Sequence, residues 1–196
     1  VYVPGNLINV IGVGYEPRGE FTTSDSAILK SEGFVNLMKA SILCNDSDLQ
    51  FVEGKWTVRG DPTEGALIVA AAKVGLEQDE IRRQNPRVFE LPFSSERKRM
   101  TTVHSARSGI EFVCMKGAPE VVLERCSYLQ GPDGVKPLDQ KQKSDILLKN
   151  LEMTNGALRV LGVAQKELVD NQTLDEDNLE KGLTFLGLVG MIDPPR

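Results

Sequence analysis

Hydrophobic residues recur along the chain at two spacings, one typical of helices and one typical of strands. Between residues 31 and 44, apolar side chains recur at helical spacing, which predicts a helix that ends at a polar run, residues 45–47. The same reading, together with helix start and stop residues, predicts four more helices. They cover residues 61–75, 76–84, 119–126 and 139–155.

Short apolar or alternating runs predict the strands. These runs cover residues 7–13, 56–58, 88–93, 100–104, 111–115, 159–164 and 183–192. A turn at residues 106–109 joins two of these strands as a hairpin. Hairpin strands interrupted by helices predict an α+β fold, in which a central antiparallel sheet is flanked by helices.

Length and composition narrow the class of protein. The chain has 196 residues, 40% of them hydrophobic, which predicts one compact domain with a real core. Its net charge of -5 gives no reason to expect a nucleic-acid partner. No apolar run approaches the roughly 18 residues needed to span a bilayer. We expect the chain to be a piece of a longer protein, because both of its ends are abrupt.

Familiar enzyme and metal signatures are missing from the sequence. The three cysteines show no C-x-x-C spacing, which predicts reduced thiols, and the single histidine, His104, makes a zinc site improbable. We interpret His104 as an ordinary strand residue. The phosphate-binding loop, G-x-G-x-x-G and G-x-S-x-G motifs do not occur. We therefore expect no catalytic residue and no resident metal in this chain.

The first candidate cluster is residues 93–100, Phe-Ser-Ser-Glu-Arg-Lys-Arg-Met. The aromatic face of Phe93 is suited to stacking on a nucleotide base, and Lys98 is suited to neutralising a phosphate. The alternative is that Phe93 is a core residue at a strand end and that residues 97–99 form a solvated basic turn. A lone basic run is a weak motif.

The second cluster, residues 115–120, reads Met-Lys-Gly-Ala-Pro-Glu where a strand gives way to a helix. Lys116 is predicted to be an exposed cation, and Gly117 permits close approach of a backbone. Pro119 suits the first helical position, where free N–H groups attract anions. The alternative is an ordinary strand-to-helix junction with an exposed lysine.

Two further residues have both a functional and a structural interpretation. Glu64 follows Asp61 at the spacing of a helix capping box, or it accepts a hydrogen bond from an adenine amino group. Arg159 at a strand start meets a phosphate, or it is a surface arginine. Spacing alone does not separate these alternatives.

Together, four ordered motifs resemble the nucleotide-binding domain of P-type cation-transporting ATPases. They occupy residues 61–67, 93–98, 116–120 and 159–161, and the chain closes on Asp-Pro-Pro-Arg at 193–196. The resemblance covers essentially the whole chain, and the ordered set is more specific than any one motif. Residues 43–47 and 190–196 are most similar to the sarco/endoplasmic-reticulum-type calcium pumps and their bacterial relatives.

The resemblance implies a single nucleotide-binding domain over residues 1–196, whose sheet has helical bundles on either side. Residues 1–6 and 190–196 would lie near the hinge to a phosphorylation domain. Phe93 would stack on adenine, Lys98 and Arg159 would lie near the ribose and phosphates, and the other members would surround the base. The implied ATP-binding residues are Glu64, Phe93, Lys98, Met100, Lys116, Gly117, Ala118, Arg159 and Leu161.

Two features depart from the family pattern. Animal calcium pumps carry an arginine two residues after the stacking phenylalanine, where this chain has Ser95. Arg97 or Arg99 is the candidate substitute for that phosphate contact. The D-K-T-G-T motif, which contains the phosphorylated aspartate, is absent from the sequence.

The resemblance further implies what the domain does. ATP is the expected ligand, with Mg2+ carried by the nucleotide, and the phosphorylation and actuator domains of the parent chain are the expected partners. The isolated domain should be monomeric and should bind ATP without hydrolysing it, as the cytoplasmic domain of an integral membrane pump, with Ca2+ as the first candidate ion. The alternatives are a Na+, H+, Mg2+ or Mn2+ pump, or a regulatory interaction module that has lost nucleotide affinity.

Overall fold

The computed structural model describes residues 1–12, 14–169 and 173–192, and it contains both strands and helices. The strands are β1 Tyr2–Val3, β2 Asn6–Leu7, β3 Asn9–Val10, β4 Phe21–Thr22, β5 Asp48–Val52, β6 Lys55–Arg59, β7 Arg87–Leu91, β8 Arg99–Ser105, β9 Glu111–Gly117, β10 Cys126–Gly131, β11 Gly134–Pro137, β12 Arg159–Glu167 and β13 Leu183–Met191. The α-helices are α1 Glu32–Leu43, α2 Pro62–Lys73, α3 Gln78–Gln84, α4 Pro119–Arg125, α5 Gln140–Asn155 and α6 Glu176–Leu179, and a 3-10 helix covers Ser26–Lys30.

One large sheet organises the fold. Its strands run in the order β11-β10-β13-β12-β9-β8-β7, and β1 and β2 extend it beside β13. All neighbouring strands are antiparallel except β10 and β13, which are parallel. Two separate hairpins, β3-β4 and β5-β6, complete the strand pairing of the described residues. The predicted α+β architecture with a central antiparallel sheet is confirmed.

The sheet separates two hydrophobic cores. Side chains alternate between the faces of a strand, so Cys114 belongs to one core while its neighbours Val113 and Met115 belong to the other. The first core is closed mainly by α1 and α2, and the second mainly by α4 and α5. Helices therefore cover both faces, and the central strands are buried on both sides.

Side-chain caps explain why the main helices begin where they do. Ser31 caps α1 by accepting a hydrogen bond from the Phe34 amide. Asp61 caps α2 in the same way, by accepting from the amides of Thr63 and Glu64. Asp139 and Gln142 form a reciprocal capping box at the start of α5. These starts agree with the predicted helices.

Several strands were not predicted. The hairpin β5-β6 begins at Asp48, although only residues 56–58 were expected to be extended. The hairpin β10-β11 surrounds a turn that was predicted without its strands. Both hairpins carry polar and exposed residues along much of their length, so the apolar pattern that marks a buried strand is weak.

Some expectations concern residues outside the described part of the chain. The closing Asp-Pro-Pro-Arg at 193–196 and Val13 of the first predicted strand belong to this group. Tyr2 of β1 is paired with Leu188 of β13, which brings the first residues beside the last strand. Across the described residues, no helix combines the length and the hydropathy required to cross a bilayer.

Candidate functional site

The candidate residues gather where three strands of the sheet meet the start of a helix. Strand β8 begins and strand β9 ends at this edge, where Met100 is paired with Lys116 and Arg99 with Gly117. Strand β12 continues the row, because Val163 is paired with Lys116. The first turn of α2 lies against the same edge through the side chain of Glu64.

A buried ion pair forms the centre of this arrangement. The Lys116 Nζ lies 2.6 Å from Glu64 Oε1 and also donates to the carbonyl of Cys44, the C-cap residue that follows α1. The Lys116 side chain is only 7% exposed and that of Glu64 only 16%. The prediction that Lys116 is an exposed cation is wrong, because its position in β9 points it toward the core between the sheet and α1.

The second oxygen of Glu64 is also engaged. Glu64 Oε2 accepts from the Asp46 amide at 2.9 Å and from the Ser47 hydroxyl at 3.4 Å. Asp61 supplies the helix cap that the sequence predicted, accepting from the Glu64 amide at 3.2 Å. The Glu64 carboxylate is therefore turned toward Lys116 and the turn after α1, and the helix is capped without it.

Phe93 and Lys98 belong to the connection between β7 and β8, residues 92–98, which we call the β7–β8 loop. Phe93 is 60% exposed, so the alternative that it is a core residue at a strand end is wrong. Lys98 is exposed, its amide donates to the Ser94 carbonyl at 2.7 Å, and its φ of 52° is left-handed. The loop thus presents an aromatic face and an ammonium to solvent.

The other two basic residues of this cluster are not solvated. Arg99 is 4% exposed, and its Nε lies 2.6 Å from Glu180 Oε2 while its Nη2 lies 2.5 Å from Glu176 Oε1. Arg97 also pairs with Glu180, which is completely buried and further accepts from the Thr101 hydroxyl. We call Arg97, Arg99, Glu176 and Glu180 the buried charge cluster. A phosphate contact by either arginine would require it to leave these partners.

Gly117 is a glycine because the neighbouring strand approaches it closely. A Cβ at this position would lie 2.4 Å from the Lys98 carbonyl oxygen and 2.7 Å from Arg99 Cβ. The Ala118 amide donates to the same Lys98 carbonyl at 3.0 Å. Close approach was predicted here, and the group that approaches in this structure is the start of β8.

The remaining candidate residues differ in exposure. Met100 is 1% exposed and lies in the core, and Leu161 packs against the same core from β12. Arg159 is exposed, and its Nη1 donates to the Thr63 hydroxyl at 2.9 Å, next to Glu64 in α2. Arg159 is therefore tied to the same helix start as the buried ion pair.

The described residues line two cavities whose walls contain none of the candidate residues. One, of about 280 Å³, is lined by Arg82, Arg87, His104 and their neighbours, and the other lies beside the β5-β6 hairpin. The candidate site is instead an open sheet edge with a buried ion pair beneath it. Sequence reasoning did not single out Glu180, Arg82 or Arg87, because their partners lie far away along the chain.

Comparison with known proteins identifies the family. A sequence profile described as "P-type ATPase, cytoplasmic domain N" matches residues 33–196. The chain is 34% identical over 200 residues to a calcium-transporting ATPase of Bacillus subtilis, and 38% identical over 208 residues to the cation-transporting ATPase pma1 of Synechocystis. It is 36% identical over 185 residues to the sodium/potassium exporting P-type ATPase cta3 of Schizosaccharomyces pombe.

These alignments cover 100%, 100% and 92% of this chain, but only 22%, 22% and 18% of the three relatives. The chain therefore spans about one fifth of the length of these curated relatives. The profile covers the helix α1, the buried ion pair, the β7–β8 loop and the strands that support them. The chain belongs to the P-type ATPase family and is its cytoplasmic domain N.

Proposed function

We propose that this domain binds ATP and positions it for phosphoryl transfer to an aspartate on a neighbouring domain of a P-type cation pump. The observation that carries the proposal is Phe93, a large aromatic residue that is 60% exposed at the edge where the buried Lys116–Glu64 pair lies. An exposed aromatic ring does not contribute the free energy that its burial would give to folding. Stacking on a base would bury the ring and is a functional reason for its exposure.

The surrounding groups fit the two ends of a nucleotide. The Glu64 carboxylate has about four lone-pair sites and can accept a further hydrogen bond from an adenine amino group while it stays paired with Lys116. Lys98 and Arg159 offer positive charge for the phosphates. Gly117 and Ala118 would form the wall of the base site, with Met100 and Leu161 behind it.

The share of catalysis proposed for this domain is positioning. In-line phosphoryl transfer depends on orientation and on neutralisation of phosphate charge, and little covalent chemistry is required of the protein. Mg2+ would arrive with the nucleotide. Because the D-K-T-G-T motif is absent from this sequence, the chain alone should bind ATP and hydrolyse none.

The intact protein would be an ATP-hydrolysing cation translocase of a membrane, with this domain on the cytoplasmic side. The phosphorylation and actuator domains of the same parent chain would be its partners, and the isolated domain would be a monomer. Ca2+ is the proposed ion, because the relative from Bacillus subtilis is named a calcium-transporting ATPase. The sodium/potassium name of the relative from Schizosaccharomyces pombe supports the alternative of a pump for another cation.

A second candidate is a regulatory interaction module that has lost nucleotide affinity. It is favoured by Ser95, which replaces a phosphate-binding arginine, and by the engagement of Arg97 and Arg99 in the buried charge cluster. Neither arginine is in place to supply the missing contact. On this interpretation, Phe93 would contact a partner protein.

Isothermal titration of ATP into the chain and two matched variants tests the proposal. Phe93→Ala should weaken ATP binding by about 1–3 kcal/mol, which is the range measured for loss of base stacking. Phe51 is the matched control, because it is an equally exposed phenylalanine, at 61%, that packs against Trp56 in the β5-β6 hairpin, outside the candidate residues. Phe51→Ala should leave the ATP affinity unchanged.

Two outcomes count against the proposal. Equal ATP affinity of folded Phe93→Ala and the unmodified chain would remove the stacking role. If the unmodified chain gives neither binding heat nor amide NMR shifts near Glu64, Phe93 and Lys116, the regulatory module becomes the better interpretation.

A further inference from the structure

The turn that follows α1, residues 43–47, lies between the candidate ATP site and a pair of arginines. On the site side, the Cys44 carbonyl accepts from Lys116, and the Asp46 amide donates to Glu64 at 2.9 Å. The Asn45 side chain adds a bond from its Nδ2 to the Glu64 carbonyl at 2.9 Å. This turn therefore orients both members of the buried ion pair.

On its opposite side, the turn is held by two guanidinium groups. Arg82 Nη2 donates to the Asn45 carbonyl at 3.2 Å and to the Ser47 carbonyl at 2.8 Å. Arg87 Nη2 donates to the Leu43 carbonyl at 3.2 Å and to the Asn45 carbonyl at 2.8 Å. The carbonyls of three turn residues thus point toward the arginines.

Each arginine is fixed in turn by a carboxylate of the same region. Arg82 Nη1 lies 2.6 Å from Asp48 Oδ1, and Arg87 Nη1 lies 2.6 Å from Asp46 Oδ1. The two side chains are 29% and 27% exposed, so much of each is shielded from water. Both Nη atoms of each arginine are engaged, one by the turn carbonyls and the other by a carboxylate, so these arginines brace the backbone of the turn.

The planarity of the peptide links the two sides of the turn. The carbonyl of Asn45 and the amide of Asp46 belong to one rigid unit and point in opposite directions. Arg82 and Arg87 both hold that carbonyl, so they also fix the direction of the amide that binds Glu64. Each arginine meets the turn carbonyls with Nη2 and a carboxylate with Nη1, whereas a lysine carries the same charge on one nitrogen and cannot make both sets of contacts in this geometry.

We propose that Arg82 and Arg87 are positioning residues that set the base selectivity of the ATP site through the Asp46 amide and Glu64. This role presupposes that the site binds ATP, as proposed. Glu64 distinguishes an adenine amino group, which donates, from the carbonyl that inosine carries at the same position, which only accepts. A Glu64 held by the braced turn should therefore prefer ATP to inosine triphosphate.

The test compares the neighbouring variants Arg82→Lys and Arg83→Lys for their affinities toward ATP and inosine triphosphate. Arg83 is the matched control, because it lies next to Arg82 in α3 but its side chain is 68% exposed and pairs with Glu80 of the same helix. We expect the unmodified chain and Arg83→Lys to prefer ATP by about tenfold, the scale of one hydrogen bond to a charged group. Arg82→Lys should lose most of that preference while its affinity for inosine triphosphate stays the same.

A cycle with Glu64→Gln separates this role from general stabilisation. If Arg82 acts through Glu64, adding Arg82→Lys to Glu64→Gln should change the preference for ATP no further. Arg87→Lys provides a second variant should Arg82→Lys fail to fold. An unchanged preference in the folded arginine variants, or fully additive effects with Glu64→Gln, would overturn the inference. Absence of ATP binding by the unmodified chain would instead refute the proposed function.

Discussion

The two sides of the candidate site are built in different ways. The base side consists of Lys116 and Glu64, which are buried, paired at 2.6 Å and held by regular elements. The phosphate side consists of Lys98 in the β7–β8 loop and Arg159 at the start of β12, both of which are exposed. Phe93 of the same loop is also exposed, and in the proposed function it stacks on the base. The charged groups of the base side hold each other in the absence of a ligand, whereas those of the phosphate side are exposed to solvent.

If the domain binds ATP as proposed, this difference indicates which side contributes more to the affinity. A preformed base side requires little reorganisation when a ligand arrives, so recognition of the base should be selective. On the phosphate side, binding would immobilise long basic side chains, and only a few positive charges are available to the phosphates. This side should therefore contribute modestly to the free energy of binding. We therefore expect ATP affinity to depend more on the base than on the phosphates.

The largest loss of stability should come from removing the charge of Glu180, which anchors the β7–β8 loop through Arg97. Glu180 is completely buried and binds Arg97, Arg99 and the Thr101 hydroxyl. Glu180→Gln would leave the buried Arg99 with only the half-exposed Glu176 as a counter-charge, and we expect it to lower the free energy of unfolding by about 3–5 kcal/mol. Urea denaturation followed by circular dichroism measures this loss.

Glu176 is the control for the anchor. It belongs to the same buried charge cluster, but its side chain is 48% exposed. Glu176→Gln should therefore cost less than about 1 kcal/mol, as exposed ion pairs do. If the two substitutions destabilise the domain equally, the loop is not anchored through Glu180.

An intermediate loss of stability should follow from acidification, because a low pH protonates the buried His104. His104 lies beside Arg82 and Arg87, and burial lowers its pKa from 6.5 to about 4. Between these values the unfolded chain binds a proton that the folded chain does not, so stability falls as the pH falls from 6.5 to 4. The total loss should be about 3 kcal/mol.

The histidine contribution is isolated by subtraction. His104 is the only histidine of the chain, so His104→Gln removes this titration and leaves every other group in place. The free energies of unfolding of the two proteins should converge as the pH falls from 6.5 to 4. Parallel pH curves would show that His104 protonates equally easily in both states.

The smallest effect concerns the reactivity of two lysines. Lys98 is exposed, whereas Lys116 is 5% exposed and held by Glu64 and the Cys44 carbonyl. An amine-reactive reagent should modify Lys116 at least about tenfold more slowly, because a charge-assisted hydrogen bond must first open. Mass spectrometry of the digested protein gives both rates.

ATP should slow the modification of both lysines. Lys55 is the control, because it is exposed on the β5-β6 hairpin and is not a candidate residue, so it should react at the same rate with and without ATP. Equal labelling of Lys116 in both conditions would leave it as a structural residue of the strand-to-helix junction. Equal labelling of Lys98 would remove it from the phosphate side.

The sequence predicted the elements whose signals are local. Helix α1 was placed within one residue at each end, because Ser31 caps it and its apolar residues keep one spacing. The start of α2 at Asp61 followed in the same way. The hairpin β10-β11 was missed because its exposed outer strand carries little apolar alternation.

The partners of charged residues could not be predicted, because they depend on strand register and helix docking. Lys116 and Glu64 are 52 positions apart, and Arg99 and Glu180 are 81 positions apart. Basic side chains are usually exposed, so Lys116 is predicted to be exposed, and one of the two interpretations of Arg99 places it in a solvated turn. Only the assembled sheet shows which cations are buried.

Lys98 combines a left-handed backbone conformation, which glycine adopts more easily, with a charged side chain, which glycine lacks. Its φ of 52° costs a side-chain-bearing residue roughly 1 kcal/mol that a glycine would not lose. A glycine would relieve this strain but would remove the ammonium from the phosphate side. If the domain binds ATP as proposed, stability and nucleotide binding favour different residues at this position, and the chain carries the residue that favours binding.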